Sequence, residues 1–517
     1  PCHQLDSATR GKFGRERGLP PERRPRGMWR LLAAVAVAVA SLELCLGRAV
    51  PPRCSVRDFG AKGDGHSVDT TAINSALASP HCDEIYFDRG HTYVTGTIVL
   101  RSHKVLNVET GATIAAAPAG MGHFLAPEPN RWDAYQDFGH SHWANSLFYG
   151  RGLANVTVKG GGTVAGNGQL KSGETKVGDA CKMWGIVSCS DISISGITMA
   201  GGGWFTVLAT NVTNLHIHDV TVVAERDGFD IVGCRNVLVD RVSITGGGDD
   251  AMVFKSDYSL GVVLHSTNLT VTNAVLGGGC NGLNFGSETV GNFSAVRWEN
   301  VSIESAGKAG IGIVSMDGAH ISDVVYRNIT MRDTFTPLFF FIGDRLRRPD
   351  NATASPGSIS GIVIDGVTAS HATYKGKGNV TATADGMPTA AATYPIGPNI
   401  SLQNIAITYP GGGGAADSAR VPPHDPTKFP PRYLGVRPAF GWFVRRAVGV
   451  TFANMTLRLE APDGRSAIVL ADGADVTLDN VCAPRGTGTE WDVVAWNGSS
   501  VTVARPGVGC APLRIQT

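Results

Sequence analysis

From about residue 105 onward the chain keeps returning to one short pattern. It reads Asn or Asp, aliphatic, any residue, aliphatic, any residue, then Asn, Asp or Gly, then aliphatic, Ser or Thr, aliphatic. Asn155-Val156-Thr157-Val158, Asp191-Ile192-Ser193-Ile194-Ser195-Gly196-Ile197-Thr198-Met199 and Asn214-Leu215-His216-Ile217-His218-Asp219-Val220-Thr221-Val222 carry it, and further copies begin at Asn236, Asn268, Ala295, Asp323, Ser360, Gly449 and Asp475. Strict alternation with β-branched residues means short strands, and the central Asn, Asp or Gly turns a corner. Two short strands cannot enclose a core, but stacked copies can, because inward aliphatics of successive copies form ladders. The copies lie about 22–38 residues apart, the range of solenoid repeats. This predicts an all-β chain, a single-stranded right-handed parallel β-helix of roughly ten coils. A β-propeller would need hairpin turns throughout, and those signals are missing.

The open end of such a stack needs a cover. Asp69-Thr70-Thr71-Ala72-Ile73-Asn74-Ser75-Ala76-Leu77 reads as an amphipathic N-terminal capping helix with Asp69 or Thr70 as its N-cap. Glu84–Phe87 and Thr97–Leu100 read as the first strands. Gly- and Pro-rich insertions interrupt the repeat at 120–150, 344–358, 371–398 and 410–440. Long coil insertions gather on one face, often the binding face. Trp132, Tyr135, His140, His142 and Trp143 fall in the first, and Phe429, Tyr433, Phe440 and Trp442 in or beside the last. They can stack on sugar rings or cap an apolar flank; for any single ring the second is the ordinary outcome.

Residues 1–27, rich in Arg, Pro and Gly, read as disordered sequence upstream of a true start at Met28. The stretch 28–49 reads as a secretory signal peptide, with Arg30, the apolar run Leu31–Leu46 and small residues at Gly47 and Ala49. An uncleaved anchor is the alternative, but the run is short for a membrane span. The remainder, 50–517, then forms one β-helix domain. Lys plus Arg number 45 and Asp plus Glu 44, a net charge of +1, which argues against a nucleic-acid partner. No membrane association is expected after cleavage, and a monomer is expected. Eight cysteines remain beyond residue 49, and an oxidising compartment makes disulfides of them. Short loops favour Cys54–Cys82, Cys181–Cys189 and Cys482–Cys510. Metal binding is the competitor, but there is no C-x-x-C and no paired His motif, so no metal is expected. Eleven sequons occur, at Asn155, Asn211, Asn268, Asn292, Asn300, Asn328, Asn351, Asn379, Asn399, Asn454 and Asn497. Asn-Val-Thr is also a strand entry, so fewer than half should carry glycan.

Chemistry concentrates between Glu225 and Glu288. Asp227 and Asp249 are 22 positions apart, as are Leu215 and Val237 in the flanking strands. Asp227 and the pair Asp249 and Asp250 then lie on neighbouring coils, at the roughly 4.7–4.9 Å spacing of paired strands. Clustered carboxylates can serve as acid and base on a glycosidic bond. Gly-Gly-Gly-Asp-Asp is also a plain corner, and the case for a site rests on the stacking, with Lys255 and Glu288 nearby.

Asp227-Gly228-Phe229-Asp230 and Gly248-Asp249-Asp250-Ala251 resemble the Asn-Thr-Asp-Gly-x-Asp and Gly-Asp-Asp motifs of glycoside hydrolase family 28, the polygalacturonases. Asp58-Phe59-Gly60-Ala61 and Gly161-Gly162-Thr163-Val164 match that family's lead-in, and the resemblance runs from about Cys54 to Asp344. It implies a secreted hydrolase of a pectic cell-wall polysaccharide, without cofactor. Asp227, Asp249 and Asp250 would be catalytic: one of Asp249 and Asp250 protonates the leaving group, the others position and activate water, with inversion. Lys255, Asn281, Glu288 and Lys308 would contact substrate. Two motifs depart. The family's Gly-His-Gly is Cys280-Asn281-Gly282, and its Arg-Ile-Lys is Gly312-Ile313-Val314. An acidic sugar needs cations; Lys308, Arg226, Arg345, Arg347 and Arg348 are the candidates to replace them. A polysaccharide lyase on the same fold, with Ca²⁺ and a basic residue as base, and an inactive glycan-binding or structural β-helix are the competing readings.

Overall fold

A computed structural model describes residues 52–370 and 381–517. The signal-peptide and upstream readings, and the sequon at Asn379, lie outside the described residues. Residues 52–517 form one unit, a parallel β-helix. On one face an unbroken run of fourteen parallel pairings leads from Arg53–Ser55 to Ser500–Pro506. The stack is thus taller than the roughly ten coils expected, because the repeat is unreadable in the first coils, where the strands Glu84–Phe87 and Lys104–Val108 already pair.

Each coil turns where the sequence places Asn, Asp or Gly. Asn155, Asp191, Asn214, Asn236 and Asn268 enter their strands at φ between 55° and 58°, and Asp219, Asn273, Asn300, Asn328 and Asn404 hold the second corner at φ between 52° and 56°. Asn tolerates this left-handed backbone better than other side-chain-bearing residues. The corner amides also bond coil to coil: Asn236 Nδ2 donates to Asn214 Oδ1 at 2.9 Å, Asn268 to Asn236 at 3.0 Å, and Asn328 to Asn300 at 2.9 Å. Sequon asparagines 268, 300, 328 and 454 are rungs of these ladders.

Leu215 pairs with Val237, as the 22-residue spacing requires. A second sheet carries the strands Asp227–Val232, Met252–Ser256 and Leu283–Thr289. Its inward row Phe229, Met252, Leu283, Ile311 and Leu338 is fully buried. The outward row of the same sheet is Asp230, Val253, Asn284, Gly312, Phe339, Thr383, Phe443, Val469, Val494 and Gln516. The helix Thr70–Ala78 buries Ile73, Ala76 and Leu77. Asp69 precedes it but does not cap it with its side chain; its carboxylate accepts instead from Lys62 N and Gly63 N, holding the glycine-rich turn.

Disulfides Cys54–Cys82 and Cys482–Cys510 form. Cys181–Cys189 does not; both thiols are free and buried. The strand Lys182–Val187 lies between them. Six extended residues span about 20 Å, whereas a disulfide needs Cα atoms within about 7 Å. Cys181 instead meets Lys182 Nζ at 3.0 Å on the outer side of that sheet, while Cys189 packs in the interior. Among the described residues no helix is long and apolar enough to cross a membrane.

Candidate active site

The outer face of the second sheet holds a cavity of about 210 Å³. Asp227, Asp249, Asp250, Lys255, Glu288 and Lys308 all line it. The strand pairing sets Asp230 against Val253, a step of 23, so Asp227 stacks over Asp250 rather than Asp249. Gly228 N donates to Asp250 O at 2.9 Å, and Asp250 N donates to Asp227 Oδ1 at 3.0 Å. Glycine is required where these coils touch: a Cβ on Gly228 would lie 2.2 Å from Ala251 O, and one on Gly279 2.2 Å from Gly248 O.

The three carboxylates sit in different fields. Asp227 is 2% exposed, and burial, then the charges of Asp230, Asp249 and Asp250, push its carboxyl well above the ordinary range. Asp250, also buried, is pushed up to about 6 by burial and then by the charge of Asp249. Burial works the same way on Asp249, but Lys308, Cys280, Lys255 and Arg226 outweigh it and hold that carboxyl low. Arg226 Nη2 lies 3.2 Å from Asp249 Oδ2, and Lys308 Nζ 3.5 Å from Oδ1. A carboxyl raised to about 6 and one held below its ordinary value thus stand side by side, an oxygen of each within 4.8 Å of the other and of Cys280 Sγ.

Asn281 differs from the expected substrate contact. It does not line the cavity. Nδ2 donates to Asp250 Oδ1 at 2.7 Å, its backbone N to the same oxygen at 3.1 Å, and Oδ1 accepts from Ala309 N at 3.2 Å. Both ends of the amide are committed to holding Asp250. Lys255 is 6% exposed, with Nζ 2.6 Å from Asp230 Oδ2 and 3.7 Å from Glu288 Oε2. Burial opposes its charge, yet Asp230, Glu288, Asp227 and Asp250 raise it well above the ordinary lysine range. Glu288 in turn is held low, against burial, by Lys255, Arg345, His140 and Arg347.

Other residues reach the site from insertions. His140 comes from the first and is buried, with Nε2 3.1 Å from Asp230 Oδ2 and Nδ1 3.5 Å from Asp257 Oδ2. Arg345 and Arg347 arrive on the segment after the strand Thr334–Ile342. Arg345 clamps Asp317, at 2.9 Å from Nε to Oδ1 and 2.5 Å from Nη2 to Oδ2, and Arg347 Nη1 stands 3.4 Å from Glu288 and 3.3 Å from Asp137. Arg348 pairs instead with Asp350 and stays outside the cavity. Phe429 lines the cavity beneath Lys308, whose ammonium is 5.1 Å from the ring centroid. Of the other singled-out rings, Tyr433 is exposed, and Trp143, Phe440, Trp442 and Trp132 serve packing. Trp143 is buried and bonds Thr210, Phe440 and Trp442 fill the interior, and Trp132 stands edge-on to Tyr258. His140 had no local signal in the sequence beyond its place in a long insertion, and neither did Asp230 as the partner of Lys255.

The sequence model of the glycosyl hydrolases family 28 matches residues 133–417, more than half of the chain. A probable polygalacturonase of Arabidopsis thaliana is 24% identical over 394 residues, which cover 70% of this chain and 79% of that protein. Among solved structures, the family 28 exopolygalacturonase of Yersinia enterocolitica aligns with a TM-score of 0.54 at 17% identity, covering 90% of this chain and 80% of that one. The hyperthermoactive exopolygalacturonase of Thermotoga maritima aligns at 0.53 and 14%, covering 85% and 93%. At these identities the structures speak for the fold.

Proposed function

Because the chain belongs to glycoside hydrolase family 28 and is a glycoside hydrolase, we propose that it cleaves an acidic, polygalacturonan-like wall polysaccharide outside the cell. One observation carries the substrate class: Arg226, Lys255, Lys308, Arg345 and Arg347 all line the cavity that holds the three aspartates. Cations absent from Gly312-Ile313-Val314 are thereby supplied from other stretches. With Asp227 and Asp250 tending to neutrality, the cavity favours a carboxylate-bearing sugar. The two disulfides suit an oxidising, extracellular setting.

In this reading Asp250 is the acid. Buried and facing the charge of Asp249, it keeps its proton up to about pH 6 and gives it to the glycosidic oxygen as the C1–O bond breaks. Water attacks C1 from the opposite side and passes a proton to Asp249, which its cations keep ionised. Asp227 fixes the coil that bears both through the Asp250 backbone N–H. The product anomer is inverted, as in the family. Asp249 is paired with Lys308 and Arg226.

The test is reducing-sugar release by the secreted chain from polygalacturonate, with and without EDTA, following ultraviolet absorbance of unsaturated products. Release without unsaturation, indifferent to EDTA and lost in Asp250→Asn, is expected. Unsaturated, EDTA-sensitive products would make it a lyase. Absence of release from any acidic or neutral wall polymer would make it a binding protein.

A further inference from the structure

A second cavity opens on the same sheet, near the C-terminal end of the stack. Its volume is about 310 Å³, and no charged side chain lines it. Trp491 and Trp496 both line it, neither fully buried. Each packs on an outward cluster of Ala439, Phe443, Val469, Ala471 and Val494, which supports the rings from behind. Hydroxyl and amide groups stand among the apolar walls: Ser418, Ser466, Thr489 and Gln516.

The cavity is a built feature. Thr489 Oγ1 accepts from Trp491 N at 3.1 Å, and Ser466 Oγ donates to Trp491 O at 2.8 Å, so the backbone of the first tryptophan is fixed from two sides. Trp496 N donates to Leu470 O at 2.8 Å. The opposite wall is the short helix Ala415–Ala419. It sits against glycines at the coil edge: a Cβ on Gly488 would lie 2.5 Å from Ala415 Cβ, and one on Gly464 2.5 Å from Ala415 N. Ser418 Oγ, which lines the cavity, makes no hydrogen bond although it is shut off from bulk solvent.

Position connects this cavity to the active site. Val469, Val494 and Gln516 are the last members of the outward row that begins at Asp230. From Asn284, beside the catalytic cavity, to Val469 is five rungs, roughly 24 Å at the spacing of paired strands. The insertion 410–440 walls both cavities, with Ser418 in one and Phe429 in the other. Phe429 and Leu434 cover the row between them by packing on Phe339 and Phe341, so the two are separate sites.

A pyranose ring has an apolar face of C–H groups and a rim of hydroxyls. Indole faces suit the first and uncharged hydroxyl and amide groups the second. We infer that this cleft is a second carbohydrate-binding site, which takes an uncharged sugar unit of the wall polymer. It holds the enzyme on partly neutral or esterified polymer without entering the reaction. The inference rests on the polysaccharide substrate of the family and not on the acidic specificity proposed above.

The test uses the whole secreted chain carrying Asp250→Asn, so that no ligand is consumed. Calorimetric titrations are made with oligosaccharides of galactose, xylose, glucose and methyl-esterified galacturonate, and with unesterified oligogalacturonate as the charged comparison. At least one uncharged ligand should bind, insensitive to added salt, and Trp491→Ala or Trp496→Ala should weaken it by about tenfold or more, the scale of losing an aromatic anchor. Trp496→Phe should keep most of the affinity, and melting temperatures should confirm that each variant folds. On the background with Asp250 intact, Trp491→Ala should leave turnover of a short soluble oligosaccharide unchanged. Absence of uncharged ligand binding, or binding that survives both alanine variants, overturns the inference. Loss of polygalacturonate cleavage with cleft binding retained would instead count against the proposed activity alone.

Discussion

Asn281 donates from Nδ2 to Asp250 Oδ1 at 2.7 Å and accepts from Ala309 N at 3.2 Å, so one neutral amide holds the carboxyl proposed as the acid. A donor to the ionised form lowers a carboxyl's pKa. Asn281→Ala removes it and should move the Asp250 titration upward from about 6. The basic limb of kcat/KM should shift to higher pH. The variant also strands the Ala309 N–H, at a cost of about 1–3 kcal/mol in stability. A pH–rate profile that stays in place would show that the amide does not tune Asp250.

Arg347 and Arg345 should behave differently although they are two residues apart. Arg347 is 37% exposed in its side chain and faces Glu288 and Asp137. Arg347→Ala should raise KM for an acidic oligosaccharide by about tenfold with kcat nearly unchanged, as expected for a contact equal in ground and transition states. Arg345→Ala leaves Asp317, which is fully buried, without its clamp. Removing one partner of such a pair costs about 3–5 kcal/mol. Its main reading should be a lower melting temperature. The reverse pattern would exchange the two roles.

Thiol counting checks the cysteine assignments. The described chain has four free cysteines, Cys181, Cys189, Cys234 and Cys280, beside two disulfides. Unfolding without reductant should release four reactive thiols from residues 52–517; a Cys181–Cys189 bridge would leave two.

These cases also mark what a sequence can reveal. The coil was legible because alternation and corner residues are local, and Asn214, Asn236 and Asn268 occur where the backbone must turn left-handed. The neighbourhood of Asp227 and Asp250 was legible because coil spacing converts sequence distance into stacking, and Leu215 opposite Val237 fixes that spacing. A single extra residue between Val237 and Asp250 moved Asp227 from Asp249 to Asp250, a step that pattern matching does not resolve. His140 was not legible. It meets Asp230 across 90 residues because the first insertion folds back over the sheet, and the path of an insertion is set by tertiary packing against Trp204 and Phe205. The bridge expected between Cys181 and Cys189 failed for a related reason: a short sequence interval is a long distance along an extended strand.

Asp250 offers the sharpest separation of catalysis from stability. As an aspartate its ordinary pKa is 3.8, and in the fold it is raised to about 6. The folded state therefore holds the proton more tightly than the unfolded chain does. Its contribution to stability is full below about pH 4, declines as pH rises through about 6, and is absent above that. Relative to the protonated form, which an asparagine mimics, the ionised buried carboxylate at neutral pH is less favourable by on the order of 2–3 kcal/mol. Asp250→Asn keeps the shape and an oxygen to accept from Asn281, but cannot ionise or donate an acid proton. Activity should fall by about 10²–10⁴-fold, the usual contribution of a general acid. Stability should rise at pH 7 and remain unchanged near pH 4, as measured by denaturant unfolding at the two pH values. A variant that is inactive yet equally stable at both would place the titrating proton on Asp227, whose carboxyl is also raised by burial and by its acidic neighbours. The basic limb of the activity profile would then follow Asp227→Asn instead.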